Sequence, residues 1–455
     1  MIKFLPLGGA DEIGASCFYL NISGTGILLD CGIDPKKEGV EGIPSFDLLT
    51  QLPLDFVFIT HAHQDHIGSL PFLIQRFPHV IIYSTPQTKE IADITLHNAA
   101  NILLEKQDLE NGMKIYTHEE INLLVRSMRE LEYDNLIFLK GLRHEGNEQI
   151  KILFKDAGHI LGSAGILIEH AGNKIFYTGD INLSDQSIMV RADLKSVNKI
   201  DTLILETTYG STDSTKLGTW EAELKRFTKS VNNILHKGGS VLIPVFALGK
   251  TQEMLASIYE LIQKRMLTEA HIYTGGIGRD ISKVYDTNRY LTRRKSSELE
   301  LKEIPQINLL EIQDYNEFKK NPGIVLASSG MMLQGTTSFK LLNYWLQQEQ
   351  FAIYGVGYMD PQTPGYRIMN SVKGDEIILT EFGQPQKVKC YIDRFYFPSH
   401  SKREDLLKIA AGVKPKRVIL VHGETDAKSW VGQKILESSK RTKVNSAANG
   451  SWIYL

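Results

Sequence analysis

The 455-residue sequence contains only three cysteines, Cys17, Cys31 and Cys390. They are too few and too scattered for a disulfide framework or a four-thiolate zinc site, so a reducing, cytoplasmic setting is expected. Long apolar runs are missing as well. Nothing approaches the about 18 residues of a membrane-spanning helix, and the opening stretch MIKFLPLGGADEIG turns to glycine and acid where a secretory leader needs a continuous apolar core. No membrane partner is therefore expected. Charge of one sign is not in excess either, with 51 Lys and Arg against 53 Asp and Glu. Lacking a global positive field, the chain has to meet any polyanion at a local site. Internal repeats and low-complexity tracts are also lacking. With 42% hydrophobic and 23% charged residues, the composition is that of a globular protein long enough for two or three domains.

Short β-rich runs fill the first 60 residues (IKFLPL, CFYLNI, GILLDCG, DFVFIT), and SGTG and GIDPKKEG between them read as hairpin turns. Apolar residues at helical spacing predict helices over 86–106 and 117–131, the second opening with Thr117 and Glu120 in capping-box register. Strands return as IKILFKD, AGILIEH, NKIFYTGD and DTLILET. Beyond about 208, continuous apolar strands (SVLIPVF, HIYTGG, GIVLASSG, FAIYGVGY) alternate with helices, the pattern of a parallel sheet covered on both faces. From about 386 the strands VKCYIDRFYF and RVILVHGE flank a last helical segment.

The densest chemistry is THAHQDHIGSLP, residues 60–71, between an apolar strand and a helix expected to start near Gly68. It places His61, His63, Asp65 and His66 on one strand-to-helix loop. Imidazole and carboxylate suit zinc, and four ligands from six consecutive residues cannot all reach one tetrahedral ion without strain. Two ions are therefore expected, with further ligands from elsewhere. His159 in DAGHILGSA and Asp180 in FYTGD are candidates, each just beyond an apolar strand. A solvated polar loop or a single structural metal is the plainer alternative.

Asp30 in LLDCG, the H-x-H-x-D-H loop, His159 and Asp180 stand in the order and spacing of the four motifs of the metallo-β-lactamase superfamily. Glu206 in LILETTYG, His400 in FPSHSKRED and His422 in VILVHGE, with IPVFALGKTQEML and VLASSGMM, resemble the β-CASP branch of nucleic-acid nucleases. This resemblance covers essentially the whole chain. It implies one zinc on His61, His63 and His159, another on Asp65, His66 and His422, with Asp180 bridging and Asp30 orienting the loop. It also implies His400 as general acid for the leaving 3′ oxygen and Glu206 as the carboxylate that keeps it protonated, joining Asp65 and Asp30 as the catalytic set. Pro398, Lys402 and GYMDPQTPGYR depart from the branch pattern and bear on substrate preference.

Two glycine-rich turns, FALGK and SSGMM, follow buried strands and are expected to open helices, whose N-terminal N–H groups bind phosphate. Lys250, Ser328, Ser329 and Gly330 are accordingly the candidate RNA-contacting residues. The fold expected is α/β: an αββα metallo-β-lactamase sandwich from residues 1–208 and 386–455, interrupted by a β-CASP domain with a mainly parallel sheet at 209–385, the active site lying in the cleft between them. The expected function is a zinc-dependent ribonuclease, chiefly an endonuclease with 5′-3′ exonuclease action open. Two Zn²⁺ per chain, single-stranded RNA and a homodimer are the associated expectations. The alternatives are a DNA-directed or small ester or thioester hydrolase of the same fold, and a non-catalytic RNA-processing subunit.

Overall fold

Strands that are apolar at every position need cover on both faces, and the first segment shows how this chain supplies it. In the computed structural model, which describes residues 2–37, 39–107, 116–380 and 383–455, Thr25–Leu29 is buried throughout. Ile27 and Leu29 point to one core and Leu28 to another. The neighbouring strands divide likewise. Phe4, Phe18, Leu20, Phe56 and Phe58 face the first core, while Leu5, Tyr19, Val57 and Ile59 face the second. This period of two follows from the pleat and makes the sheet a wall between two hydrophobic layers.

That sheet runs, in spatial order, Ile453–Tyr454, Ile2–Gly8, Cys17–Ile22, Thr25–Leu29, Phe56–Phe58, Ile81–Ser84 and Arg129–Glu130. A second sheet runs Lys443–Ser446, Arg417–Val421, Thr202–Glu206, Asn173–Tyr177, Ala164–His170, Ile150–Asp156 and Ile137–Leu139. Ile152, Phe154, Ile166, Ile175, Ile204 and Ile419 of the second sheet join the first core, so that core is the layer between the sheets. The outer face of the second sheet, with Leu203, Leu205, Val418 and Leu420, is covered by Leu406 and Ile409 of helix Arg403–Val413 and by Val431 and Ile435 of helix Thr425–Ser438. Leu96, Ile121 and Leu124, from helices Pro86–Gln107 and His118–Ser127, cover the first sheet. The order of layers is helix, sheet, sheet, helix. Each fully buried Leu, Ile or Phe contributes about 1.5–3 kcal/mol, so the middle layer and the two outer layers all add substantially to the stability of this unit.

This unit comprises residues up to Ser184, Arg191–Thr215 and His400–Leu455; a second comprises Asp185–Val190 and Lys216–Ser399. The second has a six-stranded sheet, in the order Ile307–Asn308, His271–Thr274, Gly323–Ala327, Val241–Pro244, Ala352–Gly355 and Tyr391–Arg394. All five pairings are parallel. The first unit thus runs to Thr215 and resumes at His400, later than the expected 208 and 386. Residues 386–399 go with the second unit because Tyr391–Arg394 extends its sheet by pairing with Ala352–Gly355.

Local expectations are met in part. Ser23–Gly24 turns the hairpin between Cys17–Ile22 and Thr25–Leu29, and the Thr117 and Glu120 capping box is formed. GIDPKKEG is no hairpin turn, because Thr25–Leu29 and Phe56–Phe58 are parallel and need a crossover; Glu38 of that segment lies outside the described residues. The helix from 117 stops at Ser127, since Arg129–Glu130 is drawn into pairing with Ile81–Ser84. Among the described residues, no helix is long and apolar enough to cross a membrane.

Candidate metal centre

Five members of the site follow or close the carboxyl end of a strand, where open α/β sheets place their ligands. Asp30 follows Thr25–Leu29, His61 follows Phe56–Phe58, Asp180 follows Asn173–Tyr177, Glu206 closes Thr202–Glu206 and His422 follows Arg417–Val421. The H-x-H-x-D-H segment differs from expectation in one respect. Gln64–Ile67 is already a helical turn with His63 at its N-terminal boundary, so Asp65 and His66 sit on a helix and not on an open loop.

That turn is fixed from below. The carbonyls of Gln64, Asp65 and His66 accept from the backbone N–H groups of Ile33, Ser16 and Cys31 at 2.9, 2.8 and 2.8 Å. Gly32 makes this approach feasible: a Cβ there would stand 1.7 Å from the Asp65 carbonyl oxygen. Any side chain at 32 would have to displace the turn that carries two of the candidate ligands.

Asp30, fully buried and at φ 59°, anchors the turn from the side. Its carboxylate accepts from Thr60 N at 2.7 Å, Thr60 Oγ1 at 2.8 Å and Tyr177 OH at 2.8 Å, and lies 2.8 Å from His66 Nδ1. With Nδ1 engaged, His66 turns Nε2 inward. Thr60 and Tyr177 are functional positions that sequence reasoning missed; the only signal was their closeness to His61 and Asp180. Asp30→Asn is expected to weaken metal affinity by about 10–100-fold, as loss of such an orienting partner does elsewhere. Competition with a chromogenic chelator measures it, and unchanged affinity would remove Asp30 from the site.

Two donor groups converge on Asp180. In the first, His61 Nε2 and His159 Nε2 lie 3.1 and 3.2 Å from His63 Nδ1, and 3.5 and 3.6 Å from Asp180 Oδ2. A tetrahedral ion with bonds of about 2.0–2.1 Å to nitrogen holds its ligands about 3.3 Å apart, so this spacing fits one. In the second, His66 Nε2 is 3.4 Å from Asp180 Oδ1, His422 Nδ1 is 3.3 Å from the same oxygen, and His422 Nε2 is 3.3 Å from Asp65 Oδ2. The two oxygens of Asp180 thus address different groups. His66 Nε2 and Asp180 Oδ1 are buried yet make no hydrogen bond, an arrangement that costs free energy unless a cation completes it.

The electrostatics agree. Burial alone would lower the His66 pKa, but Asp180, Asp30 and Asp65 together lift it well above the ordinary histidine value. Burial would raise Asp180, yet His422, His66 and His400 hold it well below the carboxylate range. His61 is pushed down by burial and by neighbouring His66. The cluster therefore demands positive charge at its centre and keeps the first group's imidazole available as a neutral donor.

His400 stands beside both groups. Its Nδ1 is 3.2 Å from Glu206 Oε1 and 3.9 Å from Asp180 Oδ2. The segment carrying it is pinned by Ser401, whose N–H donates to the Ile181 carbonyl at 2.7 Å and whose Oγ accepts from Leu183 N at 3.2 Å. Glu206 accepts from Ile181 N and Thr208 N at 3.1 and 3.0 Å. Burial opposes protonation of His400, but Glu206 and Asp180 outweigh it and raise its pKa.

The candidate RNA-contacting residues belong to the second unit, and their local settings differ from expectation. Ser328, Ser329 and Gly330 do not open a helix. The next one begins at Thr337, because Ser338 folds back to bond Ser328 O and Ser329 O. Lys250 does open a helix, but Lys250 N and Thr251 N already donate to Leu248 O and Phe246 O. Its ammonium is buried, bonded to the Phe397 carbonyl and 5.6 Å over the Trp220 ring, and burial pushes its pKa down to about 8.

A sandwich of this layering with histidine and carboxylate donors at its strand ends defines the metallo-β-lactamase class of divalent-metal hydrolases. Three families match in chain order: the metallo-beta-lactamase superfamily over residues 10–231, the Beta-Casp domain over 251–368, and the Zn-dependent metallo-hydrolase RNA specificity domain over 385–445. The chain belongs to the β-CASP branch of that superfamily. It is 31% identical over 439 residues to cleavage and polyadenylation specificity factor 73 of Drosophila melanogaster, covering 94% of this chain and 61% of that protein. The RNase J-like protein of Methanocaldococcus jannaschii is 30% identical over 419 residues, covering 92% and 91%. Endoribonuclease ysh-1 of Neurospora crassa is 28% identical over 483 residues, covering 97% and 55%. The chain therefore spans a little over half the length of the Drosophila and Neurospora relatives. A crystal structure of a protein of unknown function from Enterococcus faecalis V583 shares the fold, with a TM-score of 0.57 and 14% identity over the whole of both chains.

Proposed function

We propose that this protein is a zinc-dependent ribonuclease that hydrolyses phosphodiester bonds within RNA, with 5′-3′ exonuclease action as a secondary mode. The observation that carries the reading is the division of the two Asp180 oxygens between two donor groups, with His400 and Glu206 alongside. His61, His63 and His159 would hold one zinc, Asp65, His66 and His422 the other, and Asp180 would bridge. Two such ions bring about +4 of charge against the carboxylates of Asp30, Asp65, Asp180 and Glu206; they would acidify a water and neutralise the scissile phosphate.

The remaining work belongs to the chain's own side chains. Asp30 and Tyr177 keep His66 in the tautomer that directs Nε2 inward. Glu206, held by two backbone N–H groups, stabilises the protonated ring of His400. His400 then delivers its proton to the departing 3′ oxygen, which otherwise leaves as an alkoxide. The names of the relatives support RNA as substrate: one is an endoribonuclease, one RNase J-like, and one a cleavage and polyadenylation factor. The three thiols are free and buried, which suits a reducing compartment, and a cytoplasmic location belongs to the proposal, as does a homodimer, to be read by light scattering.

The test is metal analysis together with cleavage of RNA and DNA labelled at each end. About two zincs per chain and internal cuts in single-stranded RNA are expected. Protein that holds two zincs yet leaves RNA intact, indistinguishable from Asp65→Ala, would overturn the reading.

A further inference from the structure

The cations of this near-neutral chain are not evenly spread. Lys-Pro-Lys-Arg occupies residues 414–417 and Lys-Arg-Thr-Lys residues 440–443, six basic residues in eight positions with no acid among them. The fold brings the two runs side by side. Strands Arg417–Val421 and Lys443–Ser446 are parallel, with Arg417 opposite Lys443, so both runs gather at the amino ends of neighbouring strands. Lys416, Arg417, Arg441 and Lys443 line a cavity of about 530 Å³, with His170 and Asp201 on its wall.

The position is as telling as the charge. Arg417 opens the strand that His422 follows, and Thr202 opens the strand that Glu206 closes. At about 3.3 Å per residue, the cavity lies about 17 Å from the metal centre, at the other end of the same sheet. Asp201 is the one acidic side chain on its wall and is already paired with Lys416 at 2.7 Å. Arg441 and Lys443 are exposed and have no ion-pair partner among the described residues. A concave site with four cations facing Asp201 and the main-chain carboxylate of Leu455 keeps a positive balance, focusing a potential that the whole-chain sum conceals. Arginine's planar fork matches phosphate, and both basic runs fall within the segment matched by the RNA specificity family. These points favour a phosphodiester backbone over an acidic protein surface.

We infer that this basic cavity is a second, non-catalytic RNA contact, gripping backbone phosphates of the substrate at the end of the sandwich remote from the metal centre. The inference rests on the ribonuclease reading above and adds to it a place where RNA is held without being cut.

Salt titration of binding tests it. A long labelled single-stranded RNA is bound to His400→Ala protein, which spares the substrate, and fluorescence anisotropy is followed with and without Arg441→Ala plus Lys443→Ala. Loss of two phosphate contacts is expected to flatten the slope of log affinity against log salt by about 1.4 and to weaken binding by about ten-fold at low salt. Arg441→Lys should retain the slope, and Lys264→Ala plus Lys283→Ala, exposed cations elsewhere, should leave it untouched. Thermal melts establish that each variant is folded. A slope equal to the parent's overturns the inference. Cleavage by metal-loaded wild type is scored separately. RNA left uncut while the slope change persists removes the ribonuclease reading and keeps the contact, whereas cleavage with an unchanged slope does the reverse.

Discussion

Asp180→Ala is expected to abolish the metal centre as a unit, lowering bound zinc from about two per chain to less than one and RNA cleavage by about 10³-fold or more. The size of the effect follows from the two faces of one carboxylate. Oδ2 lies within 3.6 Å of His61 and His159, and Oδ1 within 3.4 Å of His66 and His422. Substitution of any one histidine removes a donor from one group, whereas loss of Asp180 removes a donor from both. It also removes the anion that favours protonation of both His66 and His400, so Asp180→Asn is the companion variant. It keeps the shape and loses the charge, and circular dichroism should show both variants folded. Metal analysis and end-labelled cleavage read the result; a variant that keeps two zincs and full activity would end the bridging assignment.

His400→Ala is expected to lower cleavage by about 10²–10⁴-fold with zinc content unchanged, the usual range for removal of a general acid. The ring is pinned through Ser401 and Glu206 and, although it forms a third set of closely spaced donors with Asp180 and Glu206, it lies outside the two histidine groups proposed to hold zinc. A structural role and an acid role are separated by the leaving group. An RNA analogue whose scissile 3′ oxygen is replaced by sulfur departs without a proton, so the defect of His400→Ala should shrink to within about ten-fold on that substrate. An equal defect on both substrates would show that His400 positions the site and does not donate.

Much of this arrangement could be read from residues alone, and the reason is physical. His61, His63, Asp65 and His66 are neighbours in sequence, and His159, Asp180 and His422 each follow a buried strand, a position where a polar side chain has little purpose unless it meets something. What escaped notice depends on contacts between distant segments. Tyr177 and Thr60 are ordinary strand-end residues until Asp30 arrives between them. The helical turn at Gln64–Ile67 is held by Ser16, Cys31 and Ile33, which no local periodicity announces. Residues 386–399 join the second unit only because Tyr391–Arg394 finds Ala352–Gly355. The phosphate role expected of Ser328–Gly330 assumed a helix start that Ser338 forestalls.

His400 and His422 reach the site only after the chain has run through the whole second unit. A ribosome adding 5–20 residues per second needs about 10 to 40 s to travel from Glu206 to His400. Throughout that interval the emerging protein carries His61, His63, Asp65, His66, His159 and Asp180 but neither His400 nor His422. On the proposed reading, the nascent chain has little activity toward the message that encodes it, and hydrolytic competence comes late in translation.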